Sequence, residues 1–251
     1  MHKMDFQTFT KRYDISLERI CRDIFRSRDK TIRIKKEETA VKNLTLILDA
    51  ALNLSVEKGF DAMTLRDLQS RSGLSMGCLY SYFSGKEALL HLMQYQGRNL
   101  VRDVLHEVLK DEAIPQNKLE IAIRAHLYLS ERMHKWFYFS YMETKNLGRE
   151  EARKAIESEL LTEAIFVDIL DEGKQKGVFF FTDARLVAAI IKAMLQDWYL
   201  KRWKYKKRQI GVEEYAAFLI TFTGKALGHF PSDLMSGTAS PNHSSAGGEQ
   251  I

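Results

Sequence analysis

Apolar residues recur at steps of three and four along most of the chain, the period of helices that bury one face. In the first 28 residues Phe6, Phe9, Tyr13, Leu17, Ile20 and Ile24 follow this spacing, which predicts one amphipathic helix. Leu44, Ile47, Leu48, Ala51 and Leu54 predict a second, ending at Lys58-Gly59, where glycine suits the residue after a helix end. Two short helices follow, about 64–71 and 75–82, joined by Ser72-Gly73-Leu74. Ser84 and Glu87 have the spacing of a capping box, and a long helix is expected from there to about Lys110. Residues 111–230 read as helical, with breaks at Pro115, at 146–148 and at 173–177, and with two late helices at about 183–203 and 212–228. The only strand-like stretch, 178–181, is too short and isolated to build a sheet. The expected fold is all-α.

Composition narrows the class. The chain has 251 residues, 45% apolar and 28% charged, enough for a sizeable core and incompatible with wholesale disorder. Two cysteines, Cys21 and Cys78, exclude a disulfide framework and suit a reducing compartment. The start of the chain lacks the apolar core of a secretion signal. Apolar runs such as 215–220 fall far short of the ~20 residues of a membrane span. A cytoplasmic protein that does not enter the membrane is expected. The net charge of +5 permits nucleic acid without requiring it. Its placement is more telling: residues 1–41 carry a net +4, and 26–36 form a basic connector. From Pro231 onward Ser, Gly, Pro and Asn dominate, the composition of a disordered tail.

Two short helices about a glycine turn, with Leu65, Leu68, Leu74, Leu79 and Phe83 as their apolar contacts, form a helix-turn-helix pattern. In such a unit the first helix braces the second, whose N-terminal side can enter the major groove. The residues around it are more specific still. They are Ile47, Ala50-Ala51, Glu57-Lys58-Gly59-Phe60, Met63-Thr64-Leu65-Arg66-Asp67-Leu68, Ser72-Gly73-Leu74-Ser75, Gly77-Cys78-Leu79-Tyr80-Ser81-Tyr82-Phe83 and Ser84-Gly85-Lys86-Glu87-Ala88-Leu89-Leu90. This string resembles the DNA-binding domain of the TetR/AcrR family of transcriptional regulators. The resemblance implies four segments: an N-terminal extension (1–38), a helix-turn-helix DNA-binding domain (39–90), a C-terminal effector-binding and dimerisation domain (91–230), and the tail (231–251). The sequence departs from the family pattern at Cys78, where Thr, Ser or Ala is commoner, and in the extension itself.

The expected DNA-contacting residues are Thr64, Arg66, Ser75, Met76, Gly77, Cys78, Tyr80, Ser81, Tyr82 and Lys86. Thr64 reads as an N-cap whose hydroxyl and free N–H groups can meet a phosphate. Gly77 is costly inside a helix, by about 1 kcal/mol relative to Ala, which hints at close approach to the groove. The resemblance implies that Tyr80 reaches phosphate or bases and that Tyr82 and Lys86 contact the backbone. The basic connector is either a DNA-contacting arm or a solvated linker.

Residues 126–142 are dense in aromatic and large apolar side chains, suiting a mostly apolar pocket between helices. Candidate effector-binding residues are His126, His134, Trp136, Phe137, Tyr141, Glu143, Asp197 and Trp198. A hydrophobic effector is expected, a fatty acyl-CoA or an aromatic compound; the stretch 142–147 weakly resembles family members that sense acyl-CoA. The late helices carry apolar stripes (Leu186, Ala189, Ile190, Ala193, Met194, Trp198; Tyr215, Phe218, Leu219, Phe222) that suit a two-fold interface. The family resemblance implies a homodimer on a palindromic operator of double-stranded DNA, acting as a repressor, with an activator as the alternative. No catalytic residue, cofactor or metal is expected. The rival is a di-iron helical enzyme, suggested by Glu131-x-x-His134 with Asp103 and His106 as a poor second half. A module that binds protein alone leaves the 57–90 string without a reason.

Overall fold

In the computed structural model of the chain, residues 4–27, 32–146 and 148–228 are described. Residues 28–31 of the basic connector, Leu147 and the tail expected from 231 lie outside the described residues. No strand occurs among the described residues.

The first apolar repeat forms two helices rather than one, α1 (Phe6–Arg12) and α2 (Leu17–Arg26). The break has a local cause. Asp14 accepts the Ser16 N–H at 3.1 Å, and Ser16 caps a new helix by accepting the Arg19 N–H at 3.2 Å. Periodicity alone misses this, because the apolar spacing continues across the turn. Next come α3 (Glu37–Lys58), α4 (Leu65–Ser72), α5 (Met76–Leu79) and α6 (Lys86–Leu109). Gly59 (φ 82°) follows α3 and Gly73 (φ 71°) follows α4 in backbone conformations that side chains disfavour. The expected capping box at Ser84 is absent: Gly85 is the N-cap of α6, with no side-chain bond. A capping box instead closes α4, where Thr64 and Asp67 exchange bonds at 3.1 and 2.8 Å.

The remaining helices are α7 (Pro115–Arg132), α8 (His134–Met142), α9 (Arg149–Gln175), α10 (Ala184–Leu200), α11 (Arg202–Lys207) and α12 (Val212–Ala226), with a 3-10 turn over Glu143–Asn146. Pro115 starts α7, where its missing N–H costs nothing. Gly173 lies inside α9, so the break expected there begins only after Gln175. The basic stretch between the two late helices forms α11.

Helix α7 is the centre of the molecule. Between Ala122 and Ser130 every residue is buried, the mark of a helix enclosed on all sides. It packs against α1, α6, α8, α9, α10 and α12. The N-terminal pair joins this centre to the helix-turn-helix. Phe6 and Phe9 of α1 meet the Tyr128 ring at 5.6 and 5.5 Å, while α2 packs on α3, with Arg22 and Arg26 holding Glu37 at 3.1 and 3.0 Å.

Candidate DNA-reading head and effector cavity

The head is built from α3, α4 and α5 on a shared apolar floor of Leu44, Ile47, Leu48, Leu68, Leu79 and Phe83. Lys58 reaches Asp67 at 2.6 Å, and Arg71 forks onto Glu57 at 2.8 and 2.7 Å, tying α4 to the end of α3. The bonds from Lys58 and Thr64 hold the Asp67 carboxyl well below the usual carboxylate range. This fixes the start of α4 against the turn that aims α5.

Of the expected DNA-contacting residues, Thr64, Arg66, Ser75, Gly77 and Tyr80 are each exposed, in or next to α4 and α5. Thr64 and Ser75 use their hydroxyls as caps, Ser75 accepting the Cys78 N–H at 3.2 Å. A Cβ added at Gly77 would meet no atom within 4 Å, so nothing inside the chain requires glycine there.

Other placements differ from expectation. Tyr82 is wholly buried beneath the head, its hydroxyl directed at the Thr39 carbonyl at 3.5 Å, because its position continues the Leu79–Phe83 apolar stripe. Met76 and Cys78 are half-buried against the same core, and Asn43 Nδ2 lies 3.5 Å from Cys78 Sγ. Ser81 donates back to the Cys78 carbonyl at 2.6 Å. Lys86 is turned inward, donating to the Phe60 and Asp61 carbonyls at 3.3 and 2.7 Å.

Between α6, α7, α8, α9 and α10 lies a cavity of about 660 Å³, within the ~300–1,000 Å³ range of small-molecule sites. Its walls include the expected His126, Trp136, Phe137 and Tyr141. Glycine at 97 makes room for one wall: a Cβ there would lie 2.5 Å from Trp136 Nε1, and that nitrogen donates to the Met93 carbonyl at 3.2 Å. The polar residues that the sequence reading missed come chiefly from α6, α9 and α10: Gln94, Arg98, Glu159, Thr162, Lys192 and Gln196. Lys192 is buried, donating to Thr162 Oγ1 at 3.0 Å and pairing with Glu159 at 3.3 Å. His126 is also buried, and its Nδ1 has no partner among the described residues. Burial and the nearby Lys192 charge push its pKa well down, so the ring is neutral. A signal for Lys192 was present: it stands between Ala188 and Leu195 on the buried stripe of α10.

Four expected effector residues lie off the cavity walls. His134 contacts the Tyr199 carbonyl at 3.1 Å and stacks on Tyr138. Glu143 accepts the Phe60 N–H at 3.2 Å. Asp197 holds Lys201 at 2.8 Å, with Lys204 and Tyr205; burial raises its pKa, but these bonds outweigh burial and bring it to about 2. Trp198 packs on Tyr205 and Tyr215, and its Nε1 donates to Glu131 at 3.1 Å. Glu131 also receives Arg202, so the Glu-x-x-His pair is spent on structural contacts. Among the described residues no group of three or more His, Cys, Asp or Glu is placed to hold a metal ion. No helix among them is long and apolar enough to cross a membrane.

Comparison with known proteins joins these parts. Residues 47–93 match the family of bacterial regulatory proteins, tetR family, and 112–221 match the tetracyclin repressor-like C-terminal domain. The fatty acid metabolism regulator protein of Bacillus subtilis (strain 168) is 25% identical over 164 residues, which cover 63% of this chain and 84% of that protein. A tetR-family regulatory protein from Rhodococcus RHA1 superposes with a TM-score of 0.69 at 21% identity, over 76% of this chain and 99% of that one. The regulator FadR from Bacillus subtilis, solved in complex with stearoyl-CoA, superposes with a TM-score of 0.58 at 22% identity, over 71% and 96%. The exposed helix-turn-helix face, the all-helical frame and both matched segments lead to one assignment: the chain belongs to the TetR family of DNA-binding transcriptional regulators.

Proposed function

We propose that this chain is a homodimeric repressor that leaves a palindromic operator when an apolar effector, an acyl-CoA or an aromatic compound, fills the cavity. In this reading residues 39–90 read DNA and 91–230 bind effector and pair the protomers. The observation that carries the proposal is the double role of α8. Trp136 and Phe137 of α8 wall the cavity. On the same helix Phe139 meets the Phe60 ring of the head at 5.5 Å, and Glu143, just beyond it, receives the Phe60 N–H. An occupant pressing on Phe137 therefore acts on an element already clamped to the head. It shifts the DNA-binding equilibrium by its difference in affinity for the two states.

The effector class rests on the walls: aromatic rings and methionines for an apolar body, with His126 and Lys192 as buried polar points for a carbonyl or carboxylate oxygen. The acyl alternative gains support from the Bacillus subtilis relative and from the stearoyl-CoA bound in FadR. Pairing rests on the apolar face left open by α10 and α12. Leu186, Ile190, Phe218 and Phe222 are each more than half exposed, and the two phenylalanines stack at 6.2 Å. Apolar side chains left this exposed on two helices support an interface there.

The effector reading is tested by titrating long-chain acyl-CoA, free fatty acid, coenzyme A alone and aromatic acids while following tryptophan emission, to which Trp136, Trp198 and Trp203 all contribute. A saturable change with an apolar ligand, lost in Trp136→Phe and absent with coenzyme A alone, is expected. No response to any apolar ligand would refute it.

A further inference from the structure

The stretch leading into α3 has an alternation with a direction. Ile32 and Ile34 are half-buried against the core of the head, while Arg33, Lys35 and Lys36 are exposed. The stretch does not hang free. The Arg33 N–H donates to the Ser81 carbonyl at 2.9 Å, directly after the recognition helix α5 and one residue beyond exposed Tyr80. The isoleucines and this bond hold one edge of the stretch on the head, so its cations project from the other. Among the described residues their nearest acid is Glu38, 4.0 Å from Lys36, with both side chains more than 70% exposed, a pair that contributes little. Glu37 is already held by Arg22 and Arg26.

We propose that Arg33, Lys35 and Lys36 are a second DNA contact, an arm pinned to the end of the recognition helix that grips the sugar–phosphate backbone beside the site where α5 reads bases. The proposal rests on the DNA-binding reading of the head. Its chemistry is that of three cations over a short span. An extended chain rises ~3.3 Å per residue, so positions 33–36 cover roughly 10 Å. Each DNA strand carries one charge per ~3.4 Å of helix axis, and long side chains let the three cations fan out to separate phosphates. Long flexible cations suit phosphate, which positions a protein on the duplex without reading sequence. Affinity and its salt dependence would therefore belong to the arm, and base preference to α5.

The test uses the full chain and the variant R33Q/K35Q/K36Q. Binding to a mixed-sequence duplex is measured by fluorescence anisotropy over a series of salt concentrations. Each phosphate contact contributes a slope of about −0.9 in log K against log salt. The variant is expected to be shallower by two to three units per protomer, roughly 0.9 for each cation lost. The charge-preserving variant R33K/K35R/K36R should keep the parental slope, which separates charge from misfolding. On a duplex selected from a random pool by the parental chain, the glutamine variant should keep the parental preference over mixed sequence. It should also lose hydroxyl-radical protection at the margins of the footprint. An unchanged slope in the glutamine variant overturns the arm, as does an equal loss in the charge-preserving variant. Y80A distinguishes the two readings: loss of sequence preference at unchanged slope belongs to the head, and loss of slope at unchanged preference belongs to the arm.

Discussion

Gly77 is the position where folding and DNA reading should pull in opposite directions. It lies in α5, its φ is not positive, and a methyl group built on it points into open space. Replacing it by alanine removes the excess backbone freedom of glycine, worth ~0.5–1 kcal/mol within a helix. Helix α5 has only four residues, so the lower half of that range applies. For a domain of this size, 1 kcal/mol moves Tm by ~2–4 °C, so Gly77→Ala should raise Tm by about 1–2 °C. On DNA the sign reverses. If glycine is there to let the backbone approach the groove, the added methyl displaces α5 from the base edges. A displaced contact of this kind costs ~1–3 kcal/mol, about five-fold to over a hundred-fold in affinity. Thermal denaturation followed by circular dichroism and anisotropy on a selected duplex provide the two readouts. A lower Tm would show an internal role for the glycine that the open space does not reveal. A higher Tm with unchanged DNA affinity would refute close approach.

Other residues give separate tests. His126 is buried and neutral, with its folded pKa depressed below the ordinary 6.5. The unfolded chain therefore binds the extra proton first. The stability that this neutral ring contributes is complete above ~6.5 and is lost as pH falls toward the depressed folded value. Urea unfolding at pH 7.5 and 5.5 should show a smaller acid loss in His126→Leu than in the parent; an equal loss would mean that the ring charges freely. Cys21 is fully buried, its thiol pushed up to about 12 by burial, while Cys78 is half-buried. A thiol reagent at pH 8 should modify Cys78 alone in the folded chain and both cysteines in denaturant; rapid native modification of Cys21 would contradict its placement. At Gly97 an added Cβ collides with the Trp136 ring, so Gly97→Ala should lower stability by ~1–3 kcal/mol, read by urea unfolding, and weaken effector binding. A neutral effect on both would show that the ring is free to move. Phe139→Leu, which removes the ring packed on Phe60, should leave effector affinity within about two-fold and reduce effector-driven DNA release; full release would refute α8 as the link.

The head was the legible part of this sequence because its signals are local. The glycines at 59 and 73, the Thr64 cap and the 3.6-residue stripe all act within a few residues, so spacing alone located α3, α4 and the start of α5. The cavity was less legible because it is assembled from five helices whose contacts are distant in sequence. An aromatic cluster at 126–142 pointed to α7 and α8, yet the same composition served core packing as readily as a wall. Tyr128, His134 and Phe139 illustrate this, each being absorbed by interior contacts. Charged residues misled for a related reason. Asp197 and Glu143 have acceptor chemistry suited to a ligand, and the fold supplies internal donors for both. Lys192 could have been found, since a lysine on the buried stripe of α10 has to be paired or functional. The split between α1 and α2 was hidden because the apolar period continues through the Ser16 cap.

The most direct measurement is anisotropy of the full chain on DNA from upstream of its own gene and on duplexes selected from a random pool, at fixed salt, followed by addition of acyl-CoA and aromatic ligands. The account predicts selective, salt-sensitive binding whose sequence preference Tyr80→Ala abolishes and that an apolar effector, and not coenzyme A alone, reverses. Failure of any sequence to emerge from the pool would contradict the reading head, and selective binding that no apolar ligand releases would contradict the effector switch.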